Sequence, residues 1–209
     1  MRAKIVMISC LLWATATSAQ NFTGGRDRLI VGGHASVFRI SYDGFSRIYG
    51  ERSGLVLGAT GLVKIRPPYY ATVKYHQFDK ETTVSINDVP LRQKWEENWY
   101  NLGVRYVSYG ERRLVNHFGF GFAFFKINEI GPVSVFGRPP GKINASGFFL
   151  DGGMEYRFIK YASFAFEIEI TSAGIQGKSG FEGSSVGGFL FSLGLNFQVP
   201  PRLIKRDGT

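Results

Sequence analysis

Cysteine is nearly missing from this chain. Its one residue, Cys10, lies in the N-terminal apolar stretch "IVMISCLLWA". Beyond that stretch there is no thiol, which excludes a disulfide framework, a cysteine nucleophile and a thiolate metal site. Histidine is scarce too: His34, His76 and His117 are scattered and form no ligand spacing. There is no Walker loop and no dinucleotide fingerprint. After residue 19 no apolar run approaches the roughly 20 residues of a membrane-spanning helix. The basic residues that give a net charge of +9 are dispersed, so there is no stripe for a nucleic acid. A solvated surface or an anionic lipid headgroup layer accounts for that charge equally well.

The N-terminus has the layout of an export signal. "MRAK" is a short basic segment, "IVMISCLLWA" an apolar one, and "TSA" ends in small residues at Ala19. A cleaved signal peptide is expected over 1–19, followed by a lead-in over 20–28. Loss of Arg2 and Lys4 would lower the charge from +9 to +7. The apolar run is too short for a membrane anchor, and it continues past Cys10 into "LLW", which argues against a lipid-modified cysteine.

What the chain has in quantity is glycine (27), phenylalanine (19) and alternation. In "GGFLFSLGLNFQV", 187–199, residues Phe189, Phe191, Leu193, Leu195, Phe197 and Val199 repeat with period two. The residues between them are small or polar, with Leu190 the exception. Eight such segments occur, at 29–40, 54–66, 69–79, 99–109, 114–127, 147–159, 161–171 and 187–199. Each is long enough for a tilted strand to cross a hydrocarbon layer, which takes about 9–11 residues. The joins alternate in length. "PP", "GERR" and "IKY" are tight. "SYDGFSRIYGERS", "KETTVSINDVPLRQKWEEN", "NEIGPVSVFGRPPGKINAS" and "SAGIQGKSGFEGSSV" are long. Three short turns therefore lie on one end and four long loops on the other.

The two faces differ in an informative way. Phe118, Phe120, Phe122 and Phe124 share one face of the fifth segment, against His117, Gly119, Gly121 and Ala123. Phe164, Phe166, Ile168 and Ile170 oppose Ser163, Ala165, Glu167, Glu169 and Thr171 in the seventh. A secreted lipocalin-like barrel would put the apolar face inside and would need an outer face dense in Lys and Glu. Here the polar face is crowded with small residues, as a narrow lumen requires. The pattern predicts an all-β chain: an eight-stranded antiparallel up-and-down transmembrane β-barrel over 29–199, with short periplasmic turns, four long external loops and a short basic tail over 200–209.

On these residues the chain resembles the OmpA-like outer-membrane β-barrel proteins. The resemblance covers 29–199. It implies a bacterial outer-membrane location, contact with outer-membrane lipid, and delivery by the barrel-assembly machinery. In the family the last strand carries the assembly signal, and Ser192, Gly194, Phe197 and Val199 fit its order. The match departs from the family in that Phe197 is not terminal: "PPRLIKRDGT" follows, too short for a peptidoglycan-binding domain.

Candidate chemistry is sparse. His34 and Ser36 form a His-x-Ser pair like that of lipid A deacylase barrels, but the pair is assigned to the lumen, where it is a polar lining. Asn21 and Asn144 head glycosylation sequons that a bacterial protein does not normally use. No catalytic residue, cofactor or metal is expected, and no nucleic-acid partner; the protein is expected to be a monomer. Trp95 and Phe136 are candidate loop contacts for an extracellular ligand, with Trp95 favoured as a rim residue of the aromatic girdle. In the lumen, Lys74, Arg105, Glu155 and Glu167 are expected in one layer with Lys64 just below. Lys74 is expected to meet Glu167, and Arg105 or Lys64 to meet Glu155, closing the barrel. The function expected is a structural or surface-interaction role. The alternatives are a small porin, a loop-mediated adhesin, a lipid-modifying barrel enzyme and a secreted lipocalin-like binder.

Overall fold

The computed structural model describes residues 27–109, 113–137, 139–175 and 185–199. The segment expected to be a signal peptide, most of the last long loop and the tail lie outside them. The strands are β1 (Leu29–Ile40), β2 (Ser53–Arg66), β3 (Tyr69–Ile86), β4 (Val89–Tyr109), β5 (Leu114–Ile130), β6 (Lys142–Ile159), β7 (Ala162–Ile175), β8 (Ser185–Val186) and β9 (Gly188–Val199), and one helix, α1 (Phe45–Tyr49), lies between β1 and β2. Each strand pairs antiparallel with its neighbours, and β9 returns to β1 from Leu29↔Val199 to Ile40↔Gly188. β8 and β9 are one wall strand interrupted at Gly187, whose φ of 105° suits glycine. The result is a closed eight-stranded antiparallel barrel, in which every wall strand has a partner on both sides.

The alternation sets which side chains face out. On β5, Phe118, Phe120 and Phe122 point outward and are 53–68% exposed. On β9 the outward row is Phe189, Phe191, Leu193, Leu195, Phe197 and Val199. That row spans about 33 Å of strand, or about 25 Å of height at the usual barrel tilt. Cross-strand tyrosine pairs edge this outward band. Tyr69 and Tyr106 lie 5.8 Å apart toward the short turns, and Tyr75 and Tyr100 lie 5.2 Å apart toward the long loops.

Above the band the pattern inverts. Outward positions become polar: Gln77, Asp79, Lys94, Glu96, Lys126, Lys142 and Asn144. Inward positions become apolar: Phe78, Trp95, Trp99, Phe125, Ile127 and Ile143 are buried together. The wall's long-loop end is thus built like a soluble protein, wet outside and dry inside.

Two sequence expectations fail here. The second long join is not a loop. β3 and β4 run on as a hairpin paired from Asp79↔Glu96 to Ile86↔Val89. Its two-residue turn, Asn87–Asp88, has φ of 50° and 63° at its two positions, the signature of a type I′ turn. The signal was present but short: Val84, Ile86, Val89 and Leu91 alternate and pair as Val84↔Leu91 and Ile86↔Val89 across the hairpin. Trp95 is also neither a loop contact nor a rim residue. It sits on β4 facing inward, fully buried. Phe136 is half-buried against the same core, its ring tilted against Trp95 with centres 5.8 Å apart.

Candidate lumenal site

The lumen has three tiers. At the short-turn end Ile30, Leu62, Tyr70, Val107 and Val115 form an apolar layer. At the long-loop end the aromatic core described above is capped by α1, whose Phe45 and Tyr49 face inward, and by Val135 of the β5–β6 loop. Between these layers lies a buried polar tier, built from the inward positions of β3 to β7.

Lys74 is its hub. Its Nζ donates to Glu167 Oε1 at 2.5 Å and Glu169 Oε2 at 2.6 Å, and lies 2.6 Å from Asp151 Oδ2. Arg105 Nη2 donates to Glu167 Oε2 at 2.5 Å and to Asp151 Oδ2 at 2.9 Å. Asn101 Nδ2 donates to Glu169 Oε1 at 2.7 Å. His117 Nε2 is 3.1 Å from Glu167 Oε2. Every member except the Glu167 carboxylate is essentially sealed from solvent. Charges so deep persist only when paired and hydrogen-bonded. Gly119 makes the packing possible, because a Cβ there would lie 2.6 Å from Asp151 Oδ1.

The residues expected in this layer divide into three groups. Lys74 and Glu167 are in contact, and Arg105 joins them. Glu155 is in the tier but does not take Arg105: its Oε2 accepts from Ser163 Oγ at 2.9 Å, and its Oε1 is 4.0 Å from His117 Nδ1. The carboxylate that Arg105 takes besides Glu167 is Asp151. Lys64 lies half-buried opposite Tyr70, in the short-turn tier. The β2–β3 register pairs Thr60 with Lys74, so Lys64 is four residues, or about 13 Å of strand, nearer the turn. Asp151 and Glu169 are the functional members that sequence reasoning left out of the network. Glu169 had been placed on the polar face with Glu167, and Asp151 alternates with outward Leu150, but only the inter-strand register gives their height.

His34 and Ser36 do face the lumen, but they do not act on each other. His34 Nε2 is 3.2 Å from His76 Nδ1, while Ser36 Oγ shares a 2.7 Å hydrogen bond with Ser192 Oγ. Beside His34, Arg105 and Ser192 is a void of about 20 Å³, room for about one water. His117, Asp151 and Glu167 bring ligand atoms within 4.8 Å of one another, the grouping among the described residues that could hold a metal. Arg105 and Lys74 already neutralise its carboxylates, and a cation placed there would face both of them. Of the residues expected to carry an assembly signal, Ser192 and Gly194 point into the lumen, while Phe197 points outward, 55% exposed, and Val199 follows on the same face.

No protein-family model and no curated protein matches the chain. Solved structures do share its fold. Neisserial surface protein A is similar over 84% of this chain and 99% of its own, with a TM-score of 0.62 and 11% identity. The outer membrane protein OprG of Pseudomonas aeruginosa covers 87% of this chain and 100% of its own, with a TM-score of 0.57 and 15% identity. Ail, the attachment invasion locus protein of Yersinia pestis, solved with the heparin analogue sucrose octasulfate, covers 83% of this chain and 99% of its own, with a TM-score of 0.56 and 8% identity. The fold is therefore that of small outer-membrane β-barrels.

Proposed function

We propose that this chain is an integral protein of the bacterial outer membrane, with a sealed barrel and a structural or surface-interaction role, and that it is neither a channel nor an enzyme. The observation that carries this reading is the inversion along the wall. A band apolar outside and charged inside gives way to a head that is polar outside and aromatic inside. Only a chain that leaves lipid for water part-way along its strands needs both patterns. The outer-membrane barrels of like fold support the location.

The closed lumen argues against conduction. A buried polar tier cross-linked by Lys74 and Arg105 lies between two apolar layers, and an eight-stranded interior is narrow enough for side chains to fill. The His34–Ser36 pair faces the lumen with separate partners, which supports a non-catalytic reading. The β3–β4 hairpin stands clear of the barrel and is the element best placed to meet a partner. Delivery would use the 1–19 segment as a cleaved signal and the Ser192, Gly194, Phe197, Val199 row as the assembly signal.

Membrane fractionation followed by gel electrophoresis of heated and unheated samples tests the location. The expected result is an outer-membrane band whose mobility shifts on heating. A soluble protein with no shift would overturn it. Planar-bilayer recording tests the seal, and a large, steady conductance would favour the porin alternative.

A further inference from the structure

The two sides of the head carry different charge patterns just above the apolar band. Over β3 and β4 the outward cations each meet an acid: Arg92 lies 2.5 Å from Glu81, and Lys94 2.5 Å from Glu96. Over β5, β6 and β7 the outward positions read Lys126, Asn128, Lys142, Asn144, Ser146, Ser172 and Gly174, with two cations and no acid. Among the described residues neither Lys126 nor Lys142 lies in a salt bridge. Glu129, the one nearby carboxylate on β5, faces inward and is bound to Ser134 Oγ and the Val135 amide.

This side also has a shape. Phe124, Lys126, Asn144, Ser146 and Gly174 border a groove of about 390 Å³ on the outer wall. Its floor is low because Ser146 pairs with Gly174 and stands beside Phe124, so small side chains follow large ones. Its lower lip is the apolar band. Its upper part offers an ammonium, an amide and a hydroxyl. Lys126 Nζ lies 6.0 Å from the centre of the Tyr100 ring, which holds the ammonium at the level of the tyrosine border.

We propose that Lys126, Asn144 and Ser146, with Lys142 at the outer lip, form a site for the phosphate of an outer-leaflet glycolipid. The inference rests on the outer-membrane reading above. The occupant follows from position and chemistry together. An apolar shelf directly below two lysines that have no salt bridge among the described residues, and two neutral hydrogen-bonding side chains, suits a molecule with acyl chains and an anionic head. A soluble anion would have no use for the shelf. The paired charges over β3 and β4 offer no such excess, so the lipid is held on one side of the barrel.

The test uses the full mature chain refolded into phosphatidylcholine vesicles doped with bis-phosphorylated lipid A or with its dephosphorylated form, then read by native mass spectrometry for retained lipid. Vesicle flotation and the heat-dependent gel shift are measured in parallel, so failure to insert, which would sink the membrane reading, is distinguishable from failure to bind. The expected result is retention of the phosphorylated form, lowered roughly fivefold for each lysine removed in Lys126→Met and Lys142→Met. Lys94→Met, on the paired side, should leave retention unchanged. Equal retention of the two lipid forms, or full retention by the double variant, would overturn the proposal. So would displacement of the lipid by sucrose octasulfate at stoichiometric level, which would make the patch a site for a soluble polyanion.

Discussion

Trp95 on β4 meets Phe45 of α1 edge-to-face, ring centres 5.2 Å apart, and both are fully buried. A five-residue helix has little stability of its own, so this contact, with those of Phe45 to Phe78 and of Tyr49 to Gln93, holds it over the barrel mouth. Trp95 Nε1 also donates to Glu97 Oε2 at 2.9 Å, which gives that buried carboxyl its bond. Trp95→Ala is expected to cost about 3–5 kcal/mol, the usual range for truncating a buried Trp. The loss should concentrate in the cap. Hydrogen exchange at residues 45–49 should accelerate markedly while the β1–β9 seam stays protected. Uniform acceleration around the wall would contradict a cap held by this residue.

The outward band predicts a depth dependence. Phe122 is 68% exposed on the barrel wall, in the middle of the β5 row. If that surface meets lipid, Phe122→Arg should cost about 2–4 kcal/mol and depress insertion into vesicles. Glu81→Gln on the projecting hairpin should change neither. Wild-type yield and thermal midpoint for Phe122→Arg would mean that the band meets water.

The eight wall strands were legible because a membrane barrel writes its two faces into the chain with period two. The aromatic head was not, although it left a mark. Alternation keeps its phase along each strand, but the environment outside changes from lipid to water. At the crossing, an outward apolar residue therefore stands beside an inward one. Trp99–Tyr100, Phe124–Phe125, Phe148–Phe149 and Phe189–Leu190 are such doublets. Leu190, which broke the alternation of its segment, is inward and fully buried for this reason. The Asn-Asp turn of the β3–β4 hairpin was likewise present but unread. In the lumen, the contact of Lys74 with Glu167 followed from counting residues up from the turns. The choice of Asp151 over Glu155 for Arg105 did not, since it depends on the register β5–β6, which pairs Gly119 with Asp151.

The cap should also respond to alkali. Tyr49 lies in the loop helix, and burial pushes its phenol up to about 12; the Gln93 hydrogen bond opposes the rise and Glu129 adds to it. A raised phenol value means that the folded cap favours the neutral form. Its stability is full below the unfolded value near 10 and declines as pH rises from there through about 12. Protection factors at residues 45–49, which remove the base-catalysed rise in intrinsic exchange, should fall over that window in the wild type and much less in Tyr49→Phe, which cannot ionise. Identical pH profiles would show that Tyr49 does not govern the cap.

Assembly makes a separate prediction. Phe197 projects outward beside the β1–β9 seam, in register with Val31 and Ala162. If the last strand carries the assembly signal, Phe197→Ala should lower the amount of assembled barrel in cells far more than deletion of residues 202–209. Refolding in detergent, where no machinery acts, should be affected much less. An equal cellular loss from both changes, or loss from the deletion alone, would move the signal to the tail.

The lumenal tier allows the sharpest test, because its charges are unequal in number. Asp151, Glu155, Glu167 and Glu169 face two cations, Lys74 and Arg105. Removing a carboxylate relieves that excess, whereas removing the hub increases it. Lys74→Met leaves Asp151, Glu167 and Glu169 to share Arg105 and is expected to cost about 3–5 kcal/mol, the range for breaking a buried pair from one side. Glu167→Gln should cost less, since the amide oxygen still accepts from one of the two cations and Asp151 and Glu169 keep both of them paired. The double variant should fall short of the sum of the two, with a coupling of about 0.5–3 kcal/mol for groups in direct contact. Unfolding midpoints in denaturant, measured on all four proteins in the same lipid, give the cycle. Additive effects of similar small size would show separately hydrated charges, and the bilayer recording of the wild type should then reveal an open, wet lumen.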